Sequence, residues 1–405
     1  MPAAGPAPAP RGVGTRDPDD LNADGFRDLL TLTGRGDPVV LWGSSRGLDP
    51  DRYSVYPWSR LGLTRPAEHR DADLGGTGIL TADLDSDGYP DWIAGDRIAW
   101  GGPQGPRPTH EATPLRVPRA AGDVHDLGNT VRGDFDGDGH HDLALNRVPA
   151  TSQRGVLTVL YGPFDHAGVP DRSETRPSDE GELTVDDIDR TGKRRPTALL
   201  FRFLTEGEQT APTRYEAGRD GLARHGRKLR AGNGTAFGDF DGDGTRDLVI
   251  GDTGTANDEL DATEQNTSGT ATLYPGDGSA AHTFDLPANS SHTENGYGRY
   301  ATAHLGPGAP DALIVPTASG ATVVRVSGGR SLRLQRTLGG PDAPGHTQGE
   351  FLGTADLNGD GRDEVLLGRR DRTDATTGEV PSRCWVIDPT TNTDINRFGI
   401  GDGGP

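Results

Sequence analysis

Five stretches of this chain set oxygen-bearing side chains at the same alternating positions. They read DLNADGFRD (20–28), DLDSDGYPD (83–91), DFDGDGHHD (134–142), DFDGDGTRD (239–247) and DLNGDGRDE (356–364). Positions 1, 3, 5 and 9 are Asp20, Asn22, Asp24 and Asp28, then Asp83, Asp85, Asp87 and Asp91. The third loop has Asp134, Asp136, Asp138 and Asp142, and the fourth Asp239, Asp241, Asp243 and Asp247. The last has Asp356, Asn358, Asp360 and Glu364. A hard cation such as Ca²⁺ takes roughly six to eight oxygens, and alternate residues of a tight loop turn theirs inward together. Glycine at position 6 of every copy permits the sharp turn. Position 7 (Phe26, Tyr89, His140, Thr245, Arg362) has no common side chain, as expected where only a backbone carbonyl binds. Asp, Asn and Gly also favour plain solvated turns, but such turns do not require an acid at position 9. The expectation is five Ca²⁺ ions, one per loop.

The charge balance agrees. The chain has 61 acids and 41 bases, a net charge of −20. Eighteen of the acids occupy loop ligand positions, so the remaining 43 nearly balance the 41 bases. Without a cation each loop crowds three or four carboxylates together, which like-charge repulsion disfavours. A nucleic-acid partner needs a basic footprint, and none is expected.

The loops begin at 20, 83, 134, 239 and 356, so two intervals are double length. A decayed copy at 187–195 keeps Asp187 and Asp189, with Thr191 read at position 5 and Arg195 at position 9. Another at 304–311 reads as one residue short, keeping only its terminal acid, Asp311. Seven repeats of about 50 residues result. Apolar runs of four to seven residues follow, such as LLTL after Asp28, LVIG after Asp247, VVLWG (39–43) and VLTVLYG (156–162). Bounded by Gly, Pro and Asp, they read as strands, while 61 glycines and 31 prolines oppose helices throughout. The fold expected is all-β: a seven-bladed β-propeller with calcium-binding loops, four strands to a blade.

The units resemble FG-GAP repeats, also called VCBS-type repeats, of the integrin α-chain N-terminal propeller. The likeness rests on Ala236-Phe237-Gly238-Asp239 before an intact loop, on Tyr297-Gly298 and on Phe351-Leu352-Gly353. Tyr161-Gly162 and Tyr274-Pro275-Gly276 add to it. It spans about residues 12 to 400 and implies calcium on one rim, where the loops join the first and second strands of each blade. It is weak for activity, because one fold hosts many functions.

Residues 1–11 form a Pro/Ala-rich leader that cannot pack, and 12–405 are expected to form one propeller. No secretory signal is present and no apolar run is long enough to span a membrane. Millimolar extracellular calcium would fill such loops, so the expectation is a secreted protein whose signal is absent here, and a monomer. The lone Cys384 sits in an expected strand and reads as a buried, inert thiol.

His69, His125, His225, His292 and His346 recur ahead of expected inner strands. On one face they would ring the axis opposite the loops, with Tyr297, Arg299 and Tyr300 beside them. A polar ligand, a glycan or a protein segment, is expected at His125, His292, Tyr297, Arg299, Tyr300 and His346. The simpler reading is that histidine is common in polar turns. Eleven bases between Arg190 and Arg230 face four acids. They form either a docking patch for an anionic partner or a solvated surface in which Arg195 replaces a lost ion. Two Arg-Gly-Asp triplets, at 35–37 and 132–134, read as chance, the second sharing Asp134 with a loop. No catalytic motif appears, so the expected function is a binding or adhesion module. A lyase-like polysaccharide enzyme on the same scaffold is the alternative.

Overall fold

Each loop hands the chain to a strand whose side chains alternate between two faces, and here both faces are covered. In the computed structural model the described residues are 12–65, 77–109, 111–118, 130–148, 154–190, 194–203, 210–252, 269–287, 300–317, 320–336, 349–372 and 379–400. Blade 1 holds β1 (Leu29–Leu32), β2 (Pro38–Leu41) and β3 (Tyr53–Val55), followed by the single-turn α1 (Trp58–Leu61). Blade 2 is β4 (Leu80–Ala82), β5 (Asp91–Ala94), β6 (Arg97–Ala99) and β7 (Thr113–Pro114). Blade 3 is β8 (Thr130–Gly133), β9 (Asp142–Arg147), β10 (Gly155–Phe164) and β11 (Pro170–Ser178).

Blade 4 is interrupted. After β12 (Gly181–Val185), β13 (Leu199–Phe203) and β14 (Thr213–Tyr215) comes a small ribbon, β15 (Ala217–Gly218) with β16 (Gly221–Leu222). The outer strand β17 (Arg227–Lys228) follows. Blade 5 is β18 (Gly234–Gly238), β19 (Asp247–Gly251), β20 (Thr270–Tyr274) and β21 (His282–Asp285). Blade 6 is β22 (Ala301–Ala303), β23 (Ala312–Thr317), β24 (Gly320–Val324) and β25 (Leu332–Gln335). Blade 7 is β26 (Glu350–Ala355), β27 (Glu364–Arg372), β28 (Glu379–Asp388) and β29 (Thr393–Gly399). The seven sheets are antiparallel meanders in chain order.

Period-two alternation explains how so few aromatic residues build a core. In β9, Leu143 and Leu145 face blade 2 while Ala144 faces blade 4. In β27, Val365 and Leu367 pack on blade 6, and Leu366 packs on blade 1. Seven apolar clusters result, one at each seam of the ring. Cys384 is buried in the seam between blades 7 and 1, as expected of an inert thiol.

Blade 1 departs from the four-strand expectation, having three strands among the described residues. Asp19 alone takes the inner-strand place, its carbonyl accepting the Asp28 N–H at 2.8 Å. The chain before it turns away, Gly12 and Val13 bonding to Asn22 and Ala23, and Thr15 to Gly88 of the next loop. The run at 397–399 is the outer strand of blade 7, paired to β28. Among the described residues, packing of blade 1 on blade 7 closes the ring, with no strand shared between them. No helix there is long and apolar enough to cross a membrane.

Candidate metal centres

The five intact loops each join the first and second strand positions of a blade, and they share one hydrogen-bond scheme. The position 1 carboxylate accepts the glycine N–H at position 6, as Asp83 does from Gly88 at 3.0 Å and Asp134 from Gly139 at 3.1 Å. Asp20, Asp239 and Asp356 do the same from Gly25, Gly244 and Gly361. Position 3 accepts the N–H of position 5: Asn22 from Asp24, Asp85 from Asp87, Asp136 from Asp138, Asp241 from Asp243 and Asn358 from Asp360. Position 5 in turn accepts the N–H of Phe26, Tyr89, His140, Thr245 or Arg362. The glycine at position 6 has φ between 80° and 93° in all five, a region where a side chain is strained. These bonds fix the carboxylates on the inside of the turn, and in Asp20, Asp239 and Asp356 the second oxygen accepts a backbone N–H as well.

The inward oxygens meet. In blades 2, 3 and 5 the carboxylates of Asp83, Asp85 and Asp91, of Asp134, Asp136 and Asp142, and of Asp239, Asp241 and Asp247 each bring ligand atoms within 4.8 Å of one another. Asp83 Oδ1 and Asp134 Oδ1 are buried without a hydrogen-bond partner. Such orphaned acceptors are costly unless something cationic meets them. Burial, reinforced by neighbouring carboxylates, pushes Asp20 and Asp134 up to about 6, Asp83 to about 7 and Glu364 to about 8. Asp28, Asp91 and Asp142 are raised for the same reasons. This donor set, all oxygen and strongly anionic, fits a hard divalent cation. In blades 1 and 7 the amides of Asn22 and Asn358 donate instead to Asp24 and Glu364, which makes those loops less anionic.

Two features escaped the reading of the sequence. Position 9 is also a structural clasp: Asp28, Asp91, Asp142 and Asp247 each bridge the position 2 N–H and a glycine N–H beyond the third strand position. Those glycines are Gly43, Gly101, Gly162 and Gly276. Position 2 itself (Leu21, Leu84, Phe135, Phe240, Leu357) anchors the loop in a seam. Its constant Leu or Phe was the available signal.

Strand register corrects both decayed loops. Ala303 pairs with Ala312 just as Gly238 pairs with Asp247, so the sixth loop is full length with Ala312 in the ninth place. Asp311 therefore stands eighth, and its carboxylate accepts the Asp239 N–H of blade 5 at 2.8 Å. His141 and Asp363 bond the preceding loop from the same place. In blade 4 the Asp186 N–H bonds to the Ala198 carbonyl, which puts Ala198 ninth in a longer loop and not Arg195. Arg195 still supplies the positive charge. Its guanidinium binds the buried Asp186 carboxylate and, at 2.8 Å, the Asp187 carbonyl. Arg246 of blade 5 joins them, reaching Asp186 at 2.8 Å, and Asp187 and Asp311 both at 3.2 Å. Thr191 lies outside the described residues.

At the loop end the axis is bridged by side chains. Arg132 of blade 3 forks onto Asp19 at 2.7 and 2.8 Å, and Arg190 of blade 4 reaches Asp17 at 3.5 Å. The second Arg-Gly-Asp triplet is consumed by these contacts and its loop. Of the expected ligand contacts, His125, His292, Tyr297, Arg299 and His346 lie outside the described residues, as does His69. Tyr300 is a core side chain in the seam of blades 5 and 6, its hydroxyl donating to the Asp252 carbonyl at 2.8 Å. His225 precedes the outer strand β17 and lies toward the loop side, because the inner strand β18 begins only at Gly234.

No protein family model and no curated protein sequence matches the chain. Among solved structures it is similar to BBS1N, crystallised in complex with ARL6DN. That match has 11% identity and a TM-score of 0.41, covering 98% of this chain and 94% of that one. It is also similar to an exo-β-1,3-galactanase from Phanerochaete chrysosporium (9% identity, TM-score 0.32, 90% of this chain and 70% of that one). A rhamnogalacturonan lyase from Bacillus licheniformis matches at 14% identity and a TM-score of 0.27, over 98% of this chain and 71% of that one. Likenesses this distant carry no argument about function.

Proposed function

We propose that this chain is a secreted, calcium-stabilised binding module of FG-GAP/VCBS type, built like the adhesion propellers it resembles. One observation carries the calcium reading: five loops in five blades share a single scheme of backbone bonds, and in three of them carboxylate oxygens converge, two of these buried and unpartnered. Positions 1, 3, 5 and 9 of each loop, with the position 7 carbonyl, would hold one ion apiece, five in all. The bound ion supplies positive charge that offsets carboxylate repulsion. The chain's own part is to preset those oxygens and tie each loop to two strands through position 9.

The binding reading follows from how the axis is built. Its loop end is occupied by Arg132, Arg190, Asp17 and Asp19, so a ligand near the axis has the opposite end available. On the sequence reading, His125, His292, Tyr297, Arg299 and His346 are the polar groups proposed to meet a glycan or an acidic protein segment. The lyase-like alternative needs histidine, tyrosine and arginine converging on one groove. Tyr300, its one described candidate, is held in the core, so the binding reading is preferred. Metal analysis after dialysis against calcium should return five ions per chain, and none or seven would overturn the assignment. A His292→Ala and Arg299→Ala double variant should keep its ions and melting temperature while losing ligand.

A further inference from the structure

We propose that the ribbon and outer strand of blade 4 form a docking surface for a linear acidic polysaccharide. The inference rests on the binding-module reading for its class of partner and places the contact on the loop side of the rim.

Of the eleven bases between residues 190 and 230, Lys193 lies outside the described residues and Arg194 is exposed away from the ribbon; the other nine fall into two groups. Arg195, Arg202 and Arg214 are paired to Asp186, Glu182 and Glu216, and Arg190 reaches Asp17. Arg230 turns to the Ala231 carbonyl and the hydroxyls of Thr270 and Thr272. These five serve the fold. Arg219, Arg224, Arg227 and Lys228 are all exposed, as is His225 between them, and Asp220 is the one acid among them. A chain of net charge −20 thus presents a compact positive surface.

That surface is held rigidly. The Tyr161 hydroxyl accepts the Leu222 N–H at 3.2 Å, and Arg176 binds the carbonyls of Ala223 and Leu222 at 2.6 and 3.3 Å. Gly221 has φ +100°, and a Cβ there would fall 2.1 Å from the Tyr161 hydroxyl. Arg227 is steadied over the Tyr274 ring, 5.8 Å from its centroid.

The arrangement also costs stability. Arg227 lies directly opposite Arg214 in the β14–β17 register, and like charges directly opposite are destabilising. An anion bound at this edge would relieve that repulsion. Arginine forks bind carboxylate and sulfate oxygens in pairs, and both groups occur along acidic polysaccharides. The exposed residues between 219 and 228 include no apolar side chain, whereas a protein interface centres on a buried apolar or aromatic core. Four bases on an acidic protein also make a poor footprint for nucleic acid.

The test is retention of the calcium-loaded protein on immobilised polygalacturonate, which offers carboxylates, and on dextran sulfate, which offers sulfates. Neutral dextran and duplex DNA run beside them under a salt gradient. The wild type should bind at least one acidic polysaccharide more tightly than DNA and should not bind neutral dextran. A variant with Arg219→Gln, Arg224→Gln, Arg227→Gln and Lys228→Gln should bind roughly tenfold or more weakly, with a shallower salt dependence and a melting temperature no lower than the wild type's, since the Arg214–Arg227 repulsion is removed. Should it misfold, the exposed pair Arg219→Gln with Arg224→Gln gives the same readout with a smaller loss. Unchanged binding by a folded variant overturns the patch and leaves the binding-module reading standing. Failure of the wild type on both polymers, or preference for DNA, overturns the choice of partner.

Discussion

The loops of blades 2, 3 and 5 and those of blades 4 and 6 sit at equivalent places in one ring yet solve the same electrostatic problem differently. In the first group three carboxylates converge in each loop, and the basic side chains that reach them do so at positions 3 and 5: Arg172 meets Asp136 at 2.6 Å, His166 meets Asp85 at 2.8 Å and Arg107 meets Asp87 at 3.4 Å. In the second, alanine holds the ninth place and the nearby acids are met by Arg195, Arg246 and His304. On the calcium reading proposed above, the first group leaves its position 1 and 9 carboxylates to a cation from solution, while the second meets its acids with side chains of the chain itself. The comparison teaches that acids at equivalent loop junctions are met to different extents by basic side chains, the buried Asp186 and Asp311 of blades 4 and 6 directly and the acids of blades 2 and 3 only in part.

Removing calcium should separate the groups most strongly. A site filled at a hundred times its Kd stabilises by about 2.7 kcal/mol, so chelation across five loops should lower the melting temperature steeply. A melting curve unmoved by chelator would end the structural role for calcium. Next in size is Arg246→Gln, which leaves Asp186 and Asp311, each 3% exposed, short of positive charge. Breaking such pairing should cost about 3 kcal/mol, with the same loss measured in calcium and in chelator. A loss that vanished in chelator would mean that blades 4 and 6 also depend on the ion.

Asp241→Ala should remove one ion by metal analysis and lower stability in calcium by about 2 to 3 kcal/mol, the worth of one site. Loss of two or more ions would show that the loops are coupled. The smallest effect is on pH. In the chelated protein burial raises Asp20 and Asp134 to about 6 and Asp83 to about 7 from 3.8, and Glu364 is pushed to about 8. The unfolded chain ionises first, so the chelated protein should lose stability as pH rises from about 4 to 7. His141 opposes this: burial lowers it to about 4, which adds stability as pH rises through 4 to 6.5. With several carboxylates against one imidazole, the melting temperature in chelator should be lower at pH 8 than at pH 5. The gain from calcium should grow over the same range. A chelated protein that becomes steadily more stable toward pH 8 would contradict the raised carboxylates.

The repeat, the strand runs and the five loops were legible because each is local. Positions 1 to 9 lie within one tight turn, and the strand after it carries its own alternation of seam-facing residues. The decayed loops were misread for the same reason. With the ligands gone, only pairing such as Ala303 with Ala312 fixes the count, and that register belongs to the sheet. The position 9 clasp to Gly162 was equally invisible, because its N–H comes from the end of another strand, twenty residues on.

The sequence by itself determined the number of blades, where each intact loop falls, and which loops carry oxygen-bearing side chains at alternating positions. Spacing and side-chain type suffice for that, since a nine-residue turn and a short strand are set by local sterics and burial. Only the tertiary structure decided how blade 1 meets blade 7, which side chains bridge the axis, and that Arg246 answers acids sixty or more residues away. Those partners are joined by ring closure, and nothing in their spacing along the chain records that they meet.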